Sequence, residues 1–173
     1  MEMSAWGLSL VYWLHMLATV VWIGGLAALG FLVLPAARRT LDRVAYPAFL
    51  AALQRRLDPL GWFSLAVLAG TGMIQMGANP NYQGFLAIQG RWATAILLKH
   101  LVFLGMAGVS AYLTWGLMPR LQRIALLQAG MGEKAEAASA QAVDLQRQEA
   151  FLLRLNLILG IIVLALTSVA RAS

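Results

Sequence analysis

The sequence contains no cysteine. Disulfides, iron–sulfur clusters, thiolate zinc sites and cysteine nucleophiles are therefore excluded. Charge is scarce as well. Of 173 residues 12% are charged, against about 25% in a soluble domain. Seven residues are acidic and two are histidine. The apolar stretches hold no paired carboxylates, no Ser-His-Asp arrangement, no phosphate loop and no HExxH motif. Hydrolase and nucleotide-driven readings thus have no residues to carry them. What is abundant is apolar: 61% of the chain, where about 45–50% is usual. That excess rules out disorder and an ordinary soluble domain. The net charge of +6 does not point to nucleic acid here, because basic residues of a membrane chain collect at its cytoplasmic surface.

A membrane helix needs about 20 mostly apolar residues. Four spans are predicted: 8–34, 60–76, 93–118 and 151–170. The first is stopped by Pro35 and Arg38-Arg39, and the third by Pro119 and Arg120. The second is entered through Asp58-Pro59, a carboxylate cap followed by proline in the first turn. No Lys or Arg precedes the first run, and it outlasts a signal-peptide core, so it reads as a retained helix. The expected architecture is all-α: a single four-helix integral membrane bundle over 1–173, with amphipathic cytoplasmic helical connections. No internal repeat is evident.

Arginine sets the expected orientation. Arg38, Arg39, Arg43, Arg55 and Arg56 lie between spans one and two, and Arg120, Arg123, Lys134 and Arg147 between spans three and four. The remaining segments hold only Arg91 and Arg171. Both long connections are then cytoplasmic, and both termini face outward, into the periplasm if this is a bacterial inner (plasma) membrane. Leu41, Val44, Ala48, Ala52 and Leu53 suggest an amphipathic surface helix leading into span two. Residues 133–150 read as a helical extension of span four after a break at Gly130 and Gly132. The outer connection has turn residues at Asn79-Pro80 and Gly84, with Phe85, Leu86 and Ile88 placed to dip into the interface. Trp6, Tyr12, Trp13, Tyr82 and Trp92 form an expected interfacial belt, whereas Trp22 is too deep for it.

Both histidines, His15 and His100, fall inside spans, where an ionisable group is costly and marks a functional site by default. Each lies seven residues into its span, about 10 Å below the outer surface at 1.5 Å per residue. Two imidazoles at one depth could ligate one heme iron from both sides or share a metal; alternatively each simply bonds a neighbouring helix. Ala93, Ala107, Ala111 and Thr114 share the His100 face, and Thr19 and Trp22 share the His15 face with Gly25 at its margin. Small residues leave room for a flat macrocycle, although membrane helices also use them to approach each other. Lys99 has no intramembrane acid to pair with, and a heme propionate would supply one. Span two brings Thr71, Met73, Gln75 and Met76 to the same layer, and thioethers beside imidazoles suit copper.

The first span, with His15, Trp22 and the pair Gly24-Gly25, resembles the opening helix of CopD-type membrane proteins. The stretches RRLDPLGWFSLAVLAGTGMIQM and RWATAILLKHLVFLGMAGVSAYL are similar to the second and third helices of that group and of the related HemJ-type protoporphyrinogen oxidases. The CopD resemblance implies copper uptake or tolerance. The HemJ resemblance implies heme held by a first-helix histidine, matched by His15, and a third-helix lysine, matched by Lys99. Tyr12 stands where HemJ-type proteins usually carry a lysine, and His100 adds a second imidazole. Both departures point away from porphyrinogen oxidation and leave heme binding in place. The sequence thus leads to a heme b protein ligated by His15 and His100, with Lys99, Trp22, Gly25 and Ala107 around the cofactor. Its expected role is electron transfer near the outer face, within the bilayer and beside a membrane redox partner or a second copy. The alternatives are a copper-handling protein using His15, His100, Met73 and Met76, a HemJ-like enzyme, and a cofactor-free accessory subunit.

Overall fold

The computed structural model describes residues 4–42, 45–84, 89–128 and 133–172. Every regular element among them is helical: α1 (Ala5–Ala27), a first π-helical segment (Ala28–Val33), α2 (Leu34–Thr40), α3 (Ala45–Gly77), α4 (Arg91–Ala111), a second π-helical segment (Tyr112–Leu117), α5 (Met118–Gln128) and α6 (Glu133–Arg171). Four continuous stretches, Ala5–Thr40, Ala48–Gly77, Arg91–Leu127 and Ala140–Arg171, are long and apolar enough to cross a membrane. They leave large apolar side chains such as Val20, Leu32, Phe63, Leu104 and Ile161 exposed. A water-facing monomer rarely does so. The chain is an all-α, multi-pass membrane protein of the four-helix type, its apolar faces turned to lipid.

The prolines act differently from expectation. Pro35 and Pro119 do not end their helices. Proline lacks an N–H, and its ring collides with the carbonyl four residues back. Here each is preceded by a widened π turn. The Leu34 N–H bonds the Leu29 carbonyl and the Met118 N–H bonds the Leu113 carbonyl, five residues back in each case. That register change carries the helix through the proline.

Asp58-Pro59 is likewise not a helix start, because both lie inside α3. The cap of α3 is Asp42, whose carboxylate accepts the Ala45 N–H at 2.6 Å. Asp58 instead accepts side-chain hydrogen bonds from Gln54 and Thr114. The expected surface helix is the first third of α3, and its inward stripe is Tyr46 and Leu50, whereas Ala48 and Ala52 are exposed. α6 runs unbroken from Glu133, as expected for the extension of span four. Phe85, Leu86, Ile88, Gly130 and Gly132 lie outside the described residues. The turn at Asn79-Pro80 forms: the Asn79 carbonyl accepts the Tyr82 N–H at 3.0 Å, and its side-chain oxygen accepts the Asn81 N–H at 2.9 Å.

The chain divides into two compact units. The first comprises Met1–Gly25, Gly61–Ala107 and Ile158–Ser173. Its core joins Met76 of α3, Trp92, Ala93 and Ala95 of α4, and Ala170 of α6. Trp92 is therefore a core residue, not part of an interfacial belt; Trp6 and Trp13 are exposed as that belt requires. Gly160 of α6 lies against Ile23 and Met106, which brings α1, α4 and α6 together.

The second unit comprises Leu26–Leu60 and Gly108–Leu157. Leu117, Met118 and Leu121 pack there with Leu145 and Leu152 of α6. Polar ties cross it. Asn156 Nδ2 donates to Ser110 Oγ at 2.8 Å. Arg38 donates to the Gln146 carbonyl at 2.8 Å and to the Tyr46 hydroxyl at 3.1 Å, and pairs with Glu149 at 3.4 Å. Glu149 lies beyond the apolar stretch of span four, yet its side chain is only 3% exposed.

A repeat that composition and hydropathy conceal becomes visible in the backbone. Val67-Leu68-Ala69-Gly70-Thr71 in α3 returns in α6 as Val163-Leu164-Ala165-Leu166-Thr167. In both copies the threonine hydroxyl donates to the valine carbonyl four residues back. The other helix of each hairpin matches too. A π segment precedes each proline, an exposed aromatic stands four residues before it (Phe31, Trp115), and an arginine stands four residues after it (Arg39, Arg123). The hairpin of α1 and α3 and the hairpin of α4 and α6 are copies of one plan.

Candidate metal centre

All the candidate residues fall in the first unit. His15 sits in the middle of α1, half-buried, with its ring turned to α3. Its Nδ1 lies 2.8 Å from the Thr71 hydroxyl oxygen. That hydroxyl gives its single proton to the Val67 carbonyl at 2.5 Å. It can then only accept from the imidazole, so the proton of His15 sits on Nδ1 and the lone pair on Nε2. Gly72, next along α3, stands beside the ring: a β-carbon there would be 3.6 Å from His15 Cε1, in ordinary van der Waals contact.

His100 reaches the same tautomer by another route. Its Nδ1 lies 2.7 Å from the Ile96 carbonyl, one turn back in α4, and a carbonyl can only accept. The lone pair is again on Nε2. An Nδ1–H held by an oxygen is the usual outer partner of a metal-bound histidine, because it fixes the tautomer and the ring orientation. It equally satisfies a histidine that only ties helices together.

Trp22 is buried at 8% exposure, and its ring packs on Gly61 of α3, where a β-carbon would stand 3.1 Å from Cζ3. Its Nε1–H is buried without a partner among the described residues, as is the side-chain nitrogen of Gln75. Lys99 is half-buried on α4, close enough to Arg171 and His15 for their charges to interact. Ala107 and Gly25 are half-buried at the edge of this unit, and nothing lies within 4 Å of a β-carbon built on Gly25. The glycine beside His15 is Gly72. Ala111 and Thr114, expected on the His100 face, belong to the second unit.

The two methionines are not brought together. Met76 is buried in the core cluster, whereas Met73 is 58% exposed. Among the described residues no three His, Asp or Glu side chains converge as a metal site. A heme iron with two axial imidazoles needs no such triad.

Thr71 and Gly72 carry more of the site than the spacing of apolar residues revealed. The cue was a polar residue and a glycine side by side in an apolar run. Arg171 escaped because it reads as an ordinary basic residue at a helix end.

Comparison with protein families, with characterised proteins and with solved structures finds no match for this chain.

Proposed function

We propose that the protein binds one heme b, held by Nε2 of His15 and Nε2 of His100, and serves in electron transfer near the outer face of a bacterial inner membrane. One observation carries this reading. Both intramembrane imidazoles, on different helices, have Nδ1–H committed to an oxygen, which puts the ring's lone pair on Nε2. Unpartnered buried donors and a basic residue with no acid nearby are what an anionic, acceptor-rich cofactor would satisfy. A bound heme would supply a one-electron couple, and His15 and His100 would hold it through Nε2. The chain's own groups do the rest: Thr71 orients His15, Ile96 orients His100, and Trp22 closes the apolar wall.

The CopD and HemJ resemblances fit this reading in part, since both imply a first-helix histidine. The copper alternative needs Met73 turned inward, and its exposure speaks against that. The arginine asymmetry supports cytoplasmic connections and outward termini. Reporter fusions at Asn81 and at the C-terminus should then read outside, and a cytoplasmic reading there would reverse the assignment. The electron partner would be another membrane redox protein or a second copy.

The deciding experiment is an absorption spectrum of the purified chain, oxidised and reduced, with His15→Ala and His100→Ala. Wild type should show a low-spin heme b spectrum, and each variant should lose it while still inserting. A colourless wild type with stoichiometric copper, or histidine variants with an unchanged heme spectrum, would overturn the proposal.

A further inference from the structure

The described residues of the first unit carry basic charge and no acid. It contains Arg91, Lys99, Arg171 and both histidines, and none of its described residues is acidic. The acids of the described chain, Asp42, Asp58, Glu133, Glu136, Asp144 and Glu149, all belong to the second unit.

Two of these cations are drawn together. Ala170 of α6 packs into one buried cluster with Trp92, Ala93 and Ala95 of α4. That contact sets Arg171 beside the helix that carries Lys99 one turn further on. The Arg171 guanidinium lies 5.4 Å above the ring of Tyr12 of α1, which holds it at this end of the unit. Lys99 is half-buried and Arg171 is exposed beside it; like charges drawn together repel each other, and a shared anion relieves that repulsion.

An independent observation points to the same kind of ligand. Gln75 stands one turn beyond Thr71, on the same face of α3, and its side-chain nitrogen is buried without a partner among the described residues. A buried amide donor left unmade costs about 1–3 kcal/mol. Its neighbour Met76 belongs to the cluster that holds Ala170. Three donors on three helices, Gln75, Lys99 and Arg171, thus lie at or beyond the histidine layer, toward one end of the unit. None has a carboxylate to bind among the described residues.

We propose that Lys99, Arg171 and Gln75 form a carboxylate clamp that grips the propionates of the porphyrin and turns its carboxylate edge toward the C-terminal end of α6. This rests on the heme reading and adds the orientation of the ligand and the class of group that selects it. Guanidinium and ammonium donors to carboxylate make charge-assisted bonds about twice as strong as neutral ones. The clamp therefore selects porphyrins that carry free carboxylates.

The test uses the full chain in detergent, titrated with hemin and with hemin dimethyl ester, which has the same ring and iron and no free carboxylate. Wild type should bind hemin at least about tenfold more tightly than the ester. Lys99→Gln combined with Arg171→Gln should erase that preference by weakening hemin alone, and Gln75→Leu should reduce it partly. Retained ester binding shows that the variants still fold. Equal wild-type affinity for both porphyrins, or variants that lose both ligands alike, would overturn the clamp and leave the heme reading standing. If neither porphyrin binds, the heme reading fails and the clamp falls with it.

Discussion

Thr71→Val gives the sharpest test of how His15 is prepared. The substitution keeps volume and branching and removes one hydroxyl. Two bonds go with it: the 2.8 Å contact to His15 Nδ1 and the threonine's own bond to the Val67 carbonyl. The second loss is small, because that carbonyl keeps its helical partner. The first leaves an imidazole N–H without an acceptor inside the helix packing. Side-chain hydrogen bonds between membrane helices average about 0.6 kcal/mol and reach about 1.7. The fold should therefore lose about 1 kcal/mol, too little to prevent insertion. The effect on ligation should be larger, because the ring is freed to rotate and to move its proton to Nε2. Loss of an outer-shell partner typically costs about 10–100-fold in metal affinity. Hemin titration and redox potentiometry of wild type, Thr71→Val and Thr71→Ser check this. Serine restores the acceptor and should recover most of the affinity. If valine binds hemin as wild type does, with the same midpoint potential, Thr71 does not orient a ligand.

Gly61→Ala should destabilise the chain by about 1–3 kcal/mol relative to Gly24→Ala in detergent unfolding, since the first β-carbon would meet Trp22 at 3.1 Å and the second nothing within 4 Å. Equal stability of the two would mean that the Trp22 ring yields freely. Arg38→Gln should cost about 3 kcal/mol, the low end for a broken buried pair because the stranded carboxylate can take up a proton. Glu149→Gln should cost less, since the Arg38 side chain it abandons is 31% exposed and already reaches water. Thermal unfolding of both variants checks this, and the opposite ranking would show that the burial asymmetry does not govern the pair.

The spans were legible because hydropathy over about 20 residues is a large summed quantity that no single contact overrides. Helix ends were less legible. Pro35 and Pro119 read as stops and Asp58-Pro59 as a start, yet a π turn carries the helix through the first two and α3 runs straight through the third. Asp42 and Asp58 are the same residue type before the same helix pattern, and only tertiary packing decides which one caps. At the site, His15, His100, Lys99 and Trp22 stand out by being polar or bulky where small apolar residues prevail. Gly72 does not, since glycine is common in membrane helices for several reasons. Met73 and Met76 looked equivalent, and their separation depends on how α3 is rotated, which a nearly all-apolar helix does not record.

The repeated hairpin bears on how such a chain could arise. Each copy carries two of the four helices that are long and apolar enough to cross a membrane. A unit with an even number of crossings, doubled in tandem, starts its second copy on the side where the first ended. No reversal of the arginine pattern is needed, unlike an inverted repeat with an odd number of crossings. Counted back from the proline of each half, His15 and Lys99 both stand 20 residues away and His100 stands 19, so the repeat sets His15 against Lys99, with His100 one residue on. Fusion would then release the halves from identity. One histidine now leans on a neighbouring helix through Thr71 and the other on its own backbone at Ile96. The two faces of a bound ligand would no longer be the same, and an electron arriving from one side would meet a different environment from one leaving on the other.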